Sequence, residues 1–215
     1  MIKAGIIVKD AVILLAGSTL FVVVINGAFS PLEKRVARES DPIVTAVVQN
    51  NAESVRRLLD GGAGTGIRDP FGRTVLMRVG YANYSDSKLI AETDAKREPM
   101  VGLLADKSAR IDAHDHDGWT PLMWASWSGL PRVAGALLKL GAAIDVPDRR
   151  GNTALTLAAQ RGNAKIVELL LAAGANRAAA TVEGKTALDL ARLGLEEYPA
   201  RKAGYNEIIT GLQRD

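Results

Sequence analysis

Gly118-Trp-Thr-Pro-Leu-Met-Trp-Ala125, Gly151-Asn-Thr-Ala-Leu-Thr-Leu-Ala158 and Gly184-Lys-Thr-Ala-Leu-Asp-Leu-Ala191 are three copies of one octapeptide, each starting 33 residues after the one before. A fixed period of that length marks a stacked array, whose units bury their apolar sides against one another. Each letter has a local reason. Thr120, Thr153 and Thr186 stand where a helix needs an N-cap, with a hydroxyl to accept from an orphan amide. Pro121 follows at the first helical position, where a missing N–H costs nothing. Ala125, Ala158 and Ala191 are small enough for neighbouring helices to approach closely. Gly129 and Gly162 break the chain between two helices, and Gly141 and Gly174 end the second helix in a left-handed turn. The pairs Leu137-Leu138 and Leu170-Leu171 fill the space between units.

Outward from this block the register continues. Asp41-Pro-Ile-Val-Thr-Ala46 aligns with Thr120 to Ala125, and Val55, Leu58 and Leu59 before Gly62-Ala63 match Val167, Leu170 and Leu171 before Gly174-Ala175. A second copy opens at Gly72-Arg-Thr-Val-Leu-Met-Arg-Val79. From Gly72 to Gly118 is 46 residues, and the surplus over one period falls at residues 81–98, polar and charged, between that copy's two helices. This insertion is expected to be either a second contact surface or a tolerated loop. The last copy has a similar excess from Leu195 to Asn206, before Ile208, Ile209 and Leu212. The expected organisation is an N-terminal apolar segment over 1–30, a charged linker over 31–40 and a repeat domain over 41–215. Its units fall near 37–69, 70–115, 116–148, 149–181 and 182–215.

The pattern resembles the ankyrin repeat, including the Asp three residues before the glycine at Asp69, Asp115 and Asp148. The resemblance implies an all-α solenoid of stacked helix pairs with short β-hairpin fingers. It also implies a non-catalytic, protein-binding module. The usual His after Thr-Pro-Leu is replaced by Met77, Met123, Thr156 and Asp189, and the Pro position holds Val75, Ala154 and Ala187 in three copies. These departures are expected to weaken the usual Thr–His bond while leaving the stacking intact. Groove-facing positions of such repeats vary, and by alignment they fall on Phe71, Arg73, His116, Trp119, Trp127, Arg149, Arg150, Asn152, Gln160, Arg161 and Lys185, with His114 beside them. That mixture of rings and cations fits an acidic partner patch with apolar anchors. Trp124 occupies the position of Leu157 and Leu190 and is expected in the core.

Composition narrows the chemistry. The 27 basic and 24 acidic residues leave a formal net charge of +3, which offers no strong field for nucleic acid. There are no cysteines, so disulfides, zinc thiolates and thiol catalysis are excluded. Asp112-Ala-His-Asp-His-Asp-Gly118 invites a metal reading, but as a calcium loop it puts Ala113 at the first ligand position and Trp124 at the twelfth. His114 and His116 could together face a transition metal, but the plainer reading is a finger whose Asp and Gly serve the turn. Gly61-Gly-Ala-Gly-Thr-Gly66 follows a helix and carries no Gly-Lys-Ser/Thr, so it is not a phosphate loop. No cofactor, metal, small-molecule substrate or enzymatic triad is expected.

Ahead of the repeats, Lys3 and Lys9 precede an uncharged stretch from Ala11 to Leu32. It is expected as a hydrophobic helix, either a membrane anchor or the core of an export signal. Cleavage after Ala28 leaves Asn26 third-last, and cleavage after Ser30 leaves Pro31 following the cut. Both are poor sites, which favours a retained anchor. The expected location is the inner membrane with a periplasmic repeat domain, or the periplasm if the segment is removed. The partner is then another protein, such as a membrane or periplasmic enzyme. Alternatives are an accessory subunit of a membrane enzyme complex, or an immunity or inhibitor protein that blocks a toxic enzyme.

Overall fold

The computed structural model describes residues 41–82 and 87–213, and ahead of them the backbone of three short segments, 3–8, 11–16 and 19–24. Among the described residues ten α-helices fall into five pairs. These are α1 (Pro42–Val48) with α2 (Ala52–Asp60), α3 (Val75–Gly80) with α4 (Ser87–Asp106), and α5 (Pro121–Ser128) with α6 (Pro131–Lys139). Then come α7 (Ala154–Arg161) with α8 (Ala164–Ala172), and α9 (Ala187–Glu197) with α10 (Lys202–Gln213) after a 3-10 turn at Pro199–Arg201.

The first helices start as the threonines dictate. Thr74, Thr120, Thr153 and Thr186 each accept from the amide three residues on, and each helix start is closed into a reciprocal capping box. The substitutes for His complete that box with their own atoms. Met77 and Met123 offer sulfur to the threonine amides at 3.3 and 3.4 Å, Thr156 a hydroxyl at 2.8 Å and Asp189 a carboxylate oxygen at 3.0 Å. The two methionines do so as weak acceptors, and Asp189 as a strong one.

First helices pack in one row and second helices in another, each against its counterpart in the adjacent pair. One continuous apolar interior runs between the rows, from Ile43 and Val47 through Leu76, Met100, Leu122, Leu137, Leu155 and Leu170 to Ile208 and Leu212. Gly80 marks a close crossing of two helix backbones: a Cβ there would come within 2.9 Å of the Pro121 carbonyl on α5. The fingers are turns, with isolated antiparallel bridges at Arg68–Thr74 and Ala180–Thr186 rather than extended hairpin ladders. Neighbouring fingers are laced together by backbone bonds: His116 donates to Phe71, Arg149 to Asp117 and Val182 to Arg150, at 3.0, 3.2 and 2.9 Å.

The insertion is not a surface loop. Residues 87–98 extend the second helix of their pair by about three turns, and Pro99 inside α4 marks the junction with the part that aligns to α6. The inserted turns carry buried polar side chains, Thr93, Asp94 and Arg97. Asp94 accepts from the amides of Arg132 and Val133 at 2.9 and 3.0 Å, capping α6, whose own N-cap residue Leu130 supplies no side-chain bond. Burial holds the Asp94 carboxyl above its ordinary range despite those two donors. Arg97 donates to the carbonyls of Arg78, Val79 and Tyr81 at the end of α3, and at 2.6 Å to Asn50 of the first pair. One helix thus fastens three consecutive units.

The expected N-terminal helix is not supported. Lys3–Val8, Ala11–Ala16 and Thr19–Val24 run as three antiparallel strands, with Ala11 opposite Val24 and Ala16 opposite Thr19. These stretches are rich in Val and Ile, whose branched Cβ favours extended backbone. No helix among the described residues is long and apolar enough to cross a membrane. The linker over 31–40 lies outside the described residues.

Candidate functional site: a groove of rings and cations

The turn aspartates build this face. In three fingers one carboxylate oxygen accepts two backbone amides: Asp69 from Phe71 and Arg73, Asp115 from Asp117 and Trp119, Asp148 from Arg150 and Asn152. The second oxygen is left to select a side chain. Asp69 takes the Arg73 guanidinium at 2.7 Å, Asp115 the Trp124 indole N–H at 2.9 Å, and Asp148 both the Trp119 indole and the Asn152 amide at 2.9 Å. The bond between Trp119 and Asp148 crosses from one finger to the next. Turn chemistry and ring placement are therefore one device.

The rings form a ladder. Tyr81 meets Trp124 edge to face at 5.1 Å, Trp124 lies 4.6 Å from Trp119, and Trp119 meets Trp127 at 5.6 Å. Centroid spacings of this size are those of favourable aromatic pairs. Cations sit at both ends. Arg73 lies 4.7 Å from the Phe71 ring, 5.6 Å from Tyr81 and 5.7 Å from Trp124; Arg78 lies 5.4 Å from Tyr81; and Arg161 lies 4.5 Å from Trp127. Each is close enough for a cation–π contact.

The structure thus brings Phe71, Arg73, Trp119, Trp127 and Arg161 into one ladder. Trp124 is corrected: it is half-buried, because its indole is drawn to Asp115 and out of the interior that Leu157 occupies in the next copy. Tyr81 and Arg78 were assigned to no groove position by the sequence. Counting from the capping threonine finds them, since Tyr81, Trp127 and Gln160 stand seven residues after Thr74, Thr120 and Thr153, and Arg78 stands where Trp124 does. Arg149 and Arg150 are exposed on the fourth finger, Asn152 is turned inward onto Asp148, and Lys185 pairs with Glu183 at 3.0 Å. Gln160 is exposed, its carbonyl accepting from the Tyr205 hydroxyl at 2.9 Å. His116 packs its ring over Gly72, while exposed His114 approaches the Gly118 carbonyl at 3.4 Å. The two histidines belong to the finger scaffold, and no group of three His, Asp or Glu able to hold a metal ion converges among the described residues.

Five stacked helix pairs with laced fingers define a helical repeat array. Two family models match the chain, ankyrin repeats (3 copies) over residues 43–148 and ankyrin repeats (many copies) over residues 137–191. Together they span residues 43–191, well over half of the sequence, and the chain belongs to the ankyrin-repeat family. Ankyrin repeats in general mediate protein–protein contacts and are non-catalytic. No curated protein matches the chain.

Proposed function

We propose that the protein holds a partner protein against the ring-and-cation face of its second to fourth units. The observation that carries this reading is the ladder from Tyr81 to Trp127, a row of partly exposed aromatics fixed by buried turn carboxylates. Such rings lose little conformational freedom on binding, and Trp, Tyr and Arg are the residues that dominate interface energetics. The mechanism is presentation by a rigid surface, with no bond made or broken.

We further propose that residues 11–32 tether this module to a membrane or direct its export, with the repeats on the outer side of the inner membrane. What supports this is the uncharged, apolar composition of that run behind Lys3 and Lys9. A membrane enzyme complex or a periplasmic enzyme is the partner class that such a location favours. Sequencing the amino terminus of the mature protein tests the tether: an intact Met1 in the membrane fraction is expected, and a cleaved form found free in the periplasm overturns anchoring but keeps export.

Affinity capture from solubilised membranes tests the groove. Trp119→Ala and Trp127→Ala, each with unchanged melting, are expected to lower recovery of the wild-type partner about tenfold or more. Undiminished recovery with both variants removes the reading.

A further inference from the structure

Arg161 differs from Arg73 and Lys185 among the groove cations. Arg73 is neutralised by Asp69 at 2.7 Å and Lys185 by Glu183 at 3.0 Å. Arg161 lies flat over Trp127 at 4.5 Å, yet among the described residues no carboxylate forms an ion pair with it, and its Nε is buried without a hydrogen-bond partner. Buried donors in native folds are almost always matched, so an unmatched one on a groove wall points to an acceptor supplied from outside.

The adjoining wall offers the opposite chemistry. The indole N–H groups of Trp119 and Trp124 are consumed by Asp148 and Asp115, so those rings present hydrocarbon rather than donors. Exposed Asp117 and Glu183 on the fingers interrupt any continuous cationic track, which argues against a nucleic-acid backbone. A guanidinium fork, by contrast, matches a single carboxylate in two parallel bonds.

We propose that Arg161 and the Trp127–Trp119 rings form a recognition pocket for a partner segment in which an Asp or Glu side chain lies beside a large apolar one. The carboxylate caps the Arg161 guanidinium while its neighbour lies on the rings. This rests on the groove being the binding face and adds the chemistry of what it reads.

The test is selection of a random ten-residue peptide library on the detergent-solubilised full chain. Enriched peptides are expected to carry Asp or Glu within about three residues of Phe, Trp, Leu or Met, a distance of roughly 10 Å in an extended chain. The best of them is expected to bind Arg161→Met about tenfold or more weakly, the effect of losing a charge-assisted bond. Arg161→Lys keeps the charge without the fork, is expected to lose less, and covers the case in which Met disturbs packing. Enriched peptides with no acidic preference, or equal binding to both Arg161 variants, overturn the pocket; if Trp127→Ala still abolishes their binding, the groove reading stands. Peptides indifferent to Arg161, Trp119 and Trp127 alike, or no enrichment at all, sink both. Tighter binding of a fluorescein-labelled oligo-dT through Arg161 and Trp127 assigns the pocket to nucleic acid and overturns the peptide reading.

Discussion

Asp148 shows how much one side chain carries in this chain. It is buried, holds its own turn by accepting from Arg150 and Asn152, and reaches to the preceding finger to fix Trp119. Asp148→Ala removes the acceptor from several donors at once, and a loss of about 2–3 kcal/mol of folding stability is expected in urea denaturation. Asp189 supplies a pH signature. The Thr186 hydroxyl and amide both donate to it and hold its carboxyl below the ordinary range. A depressed folded-state value adds stability that is fully present above the unfolded carboxylate value and is lost as pH falls through the folded one. Wild type should therefore melt above Asp189→Asn at neutral pH, and the gap should begin to narrow below about pH 4, the unfolded carboxylate value, and close as pH falls through the lower folded one. A gap constant down to pH 2 contradicts that assignment.

At the scale of elements, the closing of each first helix is the recurrent problem, because its last carbonyls point into a packed crossing. Three units solve it with three different side chains. Arg97 serves α3, the Asn163 amide serves α5 through the Ser126 and Trp127 carbonyls, and the Tyr205 hydroxyl serves α7 through Gln160. Arg97 reaches its target only because the insertion is helical, and in doing so it fixes the Tyr81 end of the ring ladder. Arg97→Met should cost about 3 kcal/mol in thermal or urea unfolding, since it strands buried carbonyls and Asn50. Lys96→Met, which removes only an exposed pair with Glu92, should change stability by less than about 0.5 kcal/mol. Equal effects from the two substitutions would mean that the inserted turns are mere surface.

Much of this was readable beforehand where the reading depended on local rules. The capping threonines, the terminal glycines and the 33-residue step act within a few residues, and they locate helix pairs directly. Non-local choices were not readable. The polar letters of residues 81–98 look like a loop because Asp94 and Arg97 find partners up to 47 residues away, in other units. Trp124 looks like core because its position is apolar in the sister copies, whereas the Asp115 carboxylate that draws it outward belongs to a finger turn. At the amino terminus the limit is different: hydropathy over Ala11 to Leu32 does not choose between helix and strand, and the dense Val and Ile content there favours strand.

For the whole molecule, the proposal is that the stack works by offering one lined face and keeping the other for its own packing. Units two to four carry that face, with finger residues near 71–73 and 116–119, Arg78 to Tyr81, Trp124, Trp127 and Arg161 along it. The back row, α4 and α6 with Leu140 at its edge, has no comparable rings. Hydrogen–deuterium exchange of the full chain, alone and with its captured partner, separates these two faces directly. Protection is expected over 71–81, 116–127 and 150–161 on binding. Protection confined to α4 and α6, with the ring ladder exchanging as before, would contradict the account.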